Sequence, residues 1–344
     1  MRENAEAILA GAVADVAEDD DGIKTLFKLR TANEWLEDAR RRPAPKMLFG
    51  EFWYEGEICI LFADTNVGKS ILAVQIADAI SRGIGIQGVG LGSAAQTVIY
   101  FDFELSDKQF EARYSEKAFN SDSFTNHFHF DQNLIRAEID PEADIDHGFR
   151  DFEHYLQYSL EKEIVRTGGK VLIIDNLTYL KNETERAKDA LPLMKYLKAV
   201  KNRYGLSILA LAHTPKRDYS KPITRNDLQG SKMLINFCDS SFAIGESCKE
   251  NDLRYLKQIK VRNAALHFDA ENVLLCTVQK PENFLHFEIT GYGSERDHLR
   301  NVSSSGREEL IAEVKTHAAT GKSQRQIAGE FGISLGSVNK YLRS

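Results

Sequence analysis

Lys69 and Ser70 stand where an apolar run breaks into the small polar stretch Asp64-Thr65-Asn66-Val67-Gly68 and a helical pattern begins at Ser70. Such a stretch can hold phosphates. Gly68 allows close backbone approach, Lys69 supplies a point charge for the outer phosphates of a triphosphate, and the Ser70 hydroxyl is of a length to ligate magnesium. The pattern follows GxxxxGK[ST] except at its first position, where Ala63 replaces glycine. Alanine adds strain if that position needs a positive φ, and nothing if it needs only small volume. Gly-Lys-Ser also arises by chance; the expected strand at 58–62 and helix at 70–81 argue against chance here.

Further along lie three strand-like runs, each closing on a polar residue. Residues 98–106 carry Glu104 just beyond an apolar run, where a carboxylate can deprotonate an attacking water or can simply cap the next helix. Residues 170–176 form a β-branched run ending on Asp175, a Walker B pattern whose aspartate would hold magnesium beside Ser70. Residues 206–212 lead into His213, placed to touch a γ-phosphate. Carboxyl-end residues of parallel strands share one edge of a sheet, so these groups are expected to meet. On a later strand, Lys260 and Arg262 fall two apart and share a face; they form either a salt-bridged sheet edge or a finger reaching into a neighbour's nucleotide.

Alternating strands and helices position these groups, and the fold class expected is α/β, a mostly parallel twisted sheet with an antiparallel extension. Helices are expected at 31–42, 107–118, 148–166 and 187–203, a short strand at 127–130, and later strands at 239–245, 253–261, 272–279 and 284–290, three of them a meander. Residues 1–45 read as an acidic tail and a helical arm, 46–292 as the core, and 293–306, polar and serine-rich, as a linker. The arm can pack on a neighbouring subunit or cover its own core.

In the C-terminal module, residues 307–344, the helical stretch 307–320 precedes two short helices around Phe331-Gly332-Ile333, with the spacing of a helix-turn-helix. Ile327, Ala328, Ile333, Val338 and Leu342 would form its core, leaving Ser337, Asn339, Lys340 and Arg343 on or near a DNA-reading face. A tri-helical protein-docking domain has the same pattern. A second basic stretch runs from Lys216 and Arg217 through Arg225 to Lys232, either a solvated loop or a surface for nucleic-acid phosphates.

The net charge is -7 with a pI near 5.8, so nucleic-acid contact would have to come from such local patches. Cys59, Cys238, Cys248 and Cys276 lack paired spacing and read as buried thiols of a reducing compartment, without zinc or disulfides. No long apolar run or basic-then-apolar leader is present, and the expectation is a cytoplasmic protein with no membrane partner. His127, His129, His147 and His154 lack metal-ligand spacing.

On Lys69, Ser70, Glu104, Asp175, His213, Lys260 and Arg262, residues 49–291 resemble the RecA-like ATPases, most closely the hexameric RepA-like and DnaB-like helicases and their KaiC-like relatives. The resemblance implies ATP and Mg2+ bound between subunits of a homo-oligomer, a hexamer in those helicases. It assigns Glu104 as catalytic glutamate, His213 as γ-phosphate sensor, and Lys260 and Arg262 as trans-acting cations. It also implies that residues 181–190 and 216–232 face a channel for single-stranded DNA. The C-terminal module resembles the DNA-binding end of resolvases and invertases, a combination suited to a plasmid or mobile element.

Two functions follow. One is an ATP-driven DNA motor or loader; the other is a nucleotide-gated DNA-binding regulator, or a recombinase-like filament, that does not unwind.

Overall fold

The structure, a computed structural model, describes residues 27–140, 142–143, 148–180, 187–215, 217–228, 232–300 and 304–343. The expected tail at 1–21 lies outside these. Contacts divide the chain into Met1–Ala44 and Pro45–Ser344. In the first unit, helix α1 (Ala32–Arg40) is started by a capping box in which Thr31 accepts from the Glu34 amide and the Glu34 carboxylate from the Thr31 amide. None of its residues is buried.

The second unit is built on a nine-stranded sheet. Strand β1 (Met47–Phe49) pairs with β2 (Trp53–Tyr54) outside it. The sheet proper starts with β3 (Ile58–Ala63), whose alternate residues feed two cores: Cys59, Leu61 and Ala63 one, Ile58, Ile60 and Phe62 the other. Burial on both faces is what a continuous apolar run predicts for a central parallel strand. Helix α2 (Lys69–Arg82) follows and buries Leu72, Ala73 and Ile76 in the first core. Beyond β4 (Val98–Asp102) the chain makes α3 (Asp107–Arg113), then the hairpin β5 (Ser115–Lys117) and β6 (Phe124–His127), then the edge strand β7 (Leu134–Ala137). Helix α4 (Phe152–Thr167), β8 (Val171–Asp175), α5 (Ala187–Tyr204) and β9 (Ser207–His213) complete the alternation, and α4 and α5 cover the second core.

After helix α6 (Lys232–Phe237), β10 (Ser240–Glu246) joins β3 in parallel, and β11 (Leu253–Lys260), β12 (Val273–Gln279) and β13 (His286–Gly293) extend the sheet as an antiparallel meander. The spatial order is β13-β12-β11-β10-β3-β9-β8-β4-β7, parallel from β10 to β7. The α/β class expected from the sequence, a mostly parallel sheet with an antiparallel extension, is thus the class observed.

Several local expectations are corrected. The helix expected to reach 118 stops at Arg113 because Ser115 to Lys117 pair with Phe124 to His127, which also moves the strand expected at 127–130. The stretch read as a linker at 293–306 is packed at its start. Helix α7 (Glu295–His298) buries Glu295 completely, where it accepts from the Ile223 amide at 2.7 Å and pairs with Lys257. Cys248 is exposed, unlike the other three cysteines. The last helices, α8 (Ser304–Ala319), α9 (Gln324–Phe331) and α10 (Leu335–Arg343), pack around Val314, Ile327 and Val338, with Ala328, Ile333 and Leu342 against them. Gly332 makes the turn at φ 61°. No helix among the described residues is long and apolar enough to cross a membrane.

Candidate nucleotide site

Strand register brings the chemistry together. Ala63 at the end of β3 lies opposite His213 at the end of β9, and Asp102 at the end of β4 lies opposite Asp175 at the end of β8. Four neighbouring parallel strands therefore present their carboxyl ends on one line, where open α/β sheets bind ligands. A cleft on this edge is lined by Thr65, Asn66, Gly68, Lys69, Ser70, Ile71, Glu104, Leu105, Arg113 and His213.

Its floor is the loop from β3 to α2. Ala63 is still strand and does not have a positive φ, so the departure from glycine carries no backbone strain. Asn66 at φ 64° and Gly68 at φ 109° turn the loop instead. A Cβ on Gly68 would also meet the Phe287 ring at 2.9 Å, so glycine is required there twice over. No side chain caps α2, which leaves its first amides to an anion. Val67 is buried, and its carbonyl accepts from Arg254 Nε at 2.8 Å. Asp64 accepts from the Tyr219 hydroxyl at 2.7 Å.

Lys69 is nearly buried, its Nζ donating to the carbonyls of Ala63 at 3.1 Å and Asp64 at 2.9 Å. Burial pulls this ammonium below the ordinary lysine range, opposed by the carboxylates of Glu104, Asp175 and Asp64. Across the cleft Glu104 is exposed, with Oε1 3.3 Å from His213 Nε2 and also accepting from Asn176 Nδ2. The hydrogen bond from His213 holds the Glu104 carboxyl below the usual carboxylate range. Asp175 is fully buried; its Oδ2 accepts from the Tyr100 hydroxyl at 2.7 Å. Desolvation raises its carboxyl to about 6, although hydrogen bonds from Ser70 and Tyr100 act against the rise.

Magnesium is tested by its donors. Asp175 Oδ1 is buried without a hydrogen-bond partner among the described residues, and Ser70 lies within hydrogen-bonding reach of the same carboxylate. An orphaned carboxylate oxygen beside a hydroxyl fits a hydrated magnesium ion, which takes one or two protein oxygens and keeps waters. No group of three or more His, Cys, Asp or Glu side chains forms an all-protein metal site among the described residues.

Lys69, Ser70, Glu104, Asp175 and His213 are thus assembled in one place, but Lys260 and Arg262 are elsewhere. Lys260 lies opposite Ser241, which lies opposite Ile60, toward the start of β3 and away from the loop. Its Nζ donates to the carbonyls of Ile235 at 2.6 Å and Cys238 at 2.7 Å, while Arg262 pairs with Asp239 at 3.1 Å.

Of the basic stretch, Arg217 donates to the Lys221 carbonyl at 2.7 Å and Arg225 is exposed. Lys216 lies outside the described residues, and of Lys232 only the backbone is described, at the start of α6. On α10, Asn339, Lys340 and Arg343 are exposed, whereas Ser337 is half-buried, its hydroxyl 2.9 Å from that of Ser334.

Sequence reasoning missed Arg113 and Asn176. Arg113 lines the cleft with a buried Nη1 that has no partner among the described residues; the cue was a cation at the end of the helix that Glu104 introduces. Asn176 follows Asp175 directly and touches both Glu104 and His213.

A family model described as AAA domain matches residues 24–218. No curated protein matches the chain. Among solved structures, a KaiC-like protein from the hyperthermophilic archaeon Pyrococcus horikoshii OT3 aligns over 69% of this chain and 91% of its own, at 11% identity and a TM-score of 0.43. With more than half of its residues covered by the family model, the chain belongs to the AAA domain family and is a P-loop ATPase.

Proposed function

We propose that the chain is an ATP-driven DNA motor or loader of the helicase type, from a plasmid or mobile element, that hydrolyses ATP between the subunits of a ring, in the simplest case a hexamer. The observation that carries it is the split of the sequence's candidate groups. Lys69, Ser70, Glu104, Asp175 and His213 share one edge, while Lys260 and Arg262 point away from it on the same chain. Cations with no role at their own site are available to a neighbour's.

In this reading the loop residues Asp64 to Ile71 wrap the phosphates and Lys69 neutralises them. Ser70 and Asp175 would hold magnesium, which would supply positive charge to the phosphates. Glu104, ionised and held by Asn176 and His213, takes the proton from the attacking water, and His213 senses the terminal phosphate. Arg113 adds a cation from the same chain. Arg262 and Lys260 of a neighbouring subunit stabilise the transition state. Single-stranded DNA passes Lys216, Arg217, Arg225 and Lys232 in the central channel.

The regulator reading is favoured by one observation, the compact three-helix end whose Asn339, Lys340 and Arg343 are open to solvent. Strand displacement on a forked duplex separates the two. A motor unwinds the fork with hydrolysis stimulated by single strands; a regulator or filament binds duplex or coats single strands without unwinding. Absence of single-strand stimulation and of unwinding in the assembled protein would refute the motor.

A further inference from the structure

Glu104 sits on a turn rather than on a strand, and a turn does not aim a side chain unless something fixes it. His213 and Asn176 hold the carboxylate end, and the backbone of the turn is held by Asp102 together with one guanidinium outside the cleft. Asp102, the last residue of β4, has no exposed side-chain surface, and its Oδ1 accepts from the Glu104 amide at 3.2 Å and the Leu105 amide at 2.9 Å. Its Oδ2 is bound by Arg136 Nε at 2.9 Å, from the edge strand β7. The same guanidinium donates through Nη2 to the Leu105 carbonyl at 2.7 Å and lies over the Phe110 ring of α3 at 4.9 Å. Its Nη1 pairs with Glu138 at 3.2 Å.

We propose that Arg136, acting through Asp102 and the Leu105 carbonyl, is the positioning residue that aims Glu104 at its water; this rests on the reading of Glu104 as general base. Three backbone groups at and just after Glu104 are tied either to Asp102 or to Arg136: the amides of Glu104 and Leu105 to one, the carbonyl of Leu105 to the other. The guanidinium fork suits the task, because Nε and Nη2 engage a carboxylate and a carbonyl at fixed separation, which a lysine cannot do. Arg136 does not line the cleft, so its removal leaves the phosphate and magnesium contacts in place. The contact with Phe110 extends the clamp to α3, whose last residue is Arg113.

The test is a double-mutant cycle in the assembled full-length protein, read by single-turnover ATP hydrolysis and by binding of a fluorescent ADP. Arg136→Met is expected to lower hydrolysis about tenfold, since sub-ångström misaim of a base costs on that order, with ADP affinity held within about twofold. In a Glu104→Gln background, with no base to aim, the same substitution is expected to cost nothing further. Arg136→Lys keeps a charge for Asp102 but not the fork; it is expected to fall between Met and wild type, and it carries the cycle if Arg136→Met loses ADP binding. An equal loss from the Arg136 change in both backgrounds, or loss of ADP binding by both Arg136 variants, would overturn the proposal alone. Full turnover by Glu104→Gln by itself would overturn the assignment of Glu104, and the proposal with it.

Discussion

The imidazole of His213 faces the carboxylate of Glu104 across 3.3 Å, and its other nitrogen, Nδ1, lies 3.2 Å from Lys69 Nζ. An ammonium can only donate, so Nδ1 accepts and the proton of a neutral ring sits on Nε2, directed at Glu104. One ring thereby links Lys69 to the carboxylate opposite. His213→Ala is expected to lower kcat about tenfold while changing KM for ATP much less, because it loosens Glu104 without touching the loop amides. Steady-state kinetics at saturating magnesium check this.

Acid should disable the site through Asp175 before it reaches Glu104. The Asp175 carboxyl is raised to about 6 by burial and must be ionised to take a metal, whereas Glu104 is held below the usual carboxylate range. Magnesium affinity is therefore expected to fall by about tenfold per pH unit below 6, with excess magnesium restoring activity. Titrating magnesium activation at several pH values reads this directly.

The same burial sets a stability sign. A carboxyl whose folded pKa exceeds its unfolded value stabilises the fold fully below the unfolded pKa and loses that contribution as pH rises through about 6. At pH 8 the buried anion is a cost to the metal-free protein. Asp175→Asn is expected to raise the melting temperature of the metal-free protein at that pH and to abolish hydrolysis, a trade of activity for stability. Calorimetry with a chelator present tests it.

Ala63 has strand geometry and is buried, so restoring the consensus should gain nothing. Ala63→Gly is expected to leave turnover within about twofold and to cost about 0.5–1 kcal/mol of stability, as glycine does in a strand. Gly68→Ala is the contrast: at φ 109° and against Phe287 it should lose nucleotide binding. Urea unfolding and ADP titration of both variants measure the two effects.

If Arg262 serves a neighbour, two dead proteins should make a live one. Glu104→Gln and Arg262→Ala are each expected to lose about a hundredfold or more in turnover. Mixed, they should recover part of the activity at interfaces pairing an intact Glu104 with an intact Arg262. Recovery absent at any mixing ratio would count against the split site.

Legibility in the sequence followed burial. Ile58 to Ala63, Val98 to Asp102, Val171 to Asp175 and Ser207 to His213 are continuous apolar runs buried on both faces, and their ends carry the polar residues read as the site. Edge elements were harder. Strand β7, with no fully buried residue and Arg136 within it, has no periodic signal, and the hairpin after Arg113 exists because of a pairing that local propensity toward helix does not foresee. Glu295 reads as linker because its partners, Ile223, Tyr255 and Lys257, are distant in the chain. Arg113, Arg136 and Asn176 belong to no spacing rule, and only the folded register brings them to Glu104 or its turn.

The most direct test of the account pairs binding with turnover for wild type and Glu104→Gln in the presence of magnesium. ATP affinity is expected to stay within about threefold of wild type and turnover to fall by about 10² or more, the contribution of a positioned base. Wild-type turnover from Glu104→Gln would contradict it, since the carboxylate opposite Lys69 would then have no part in the chemistry.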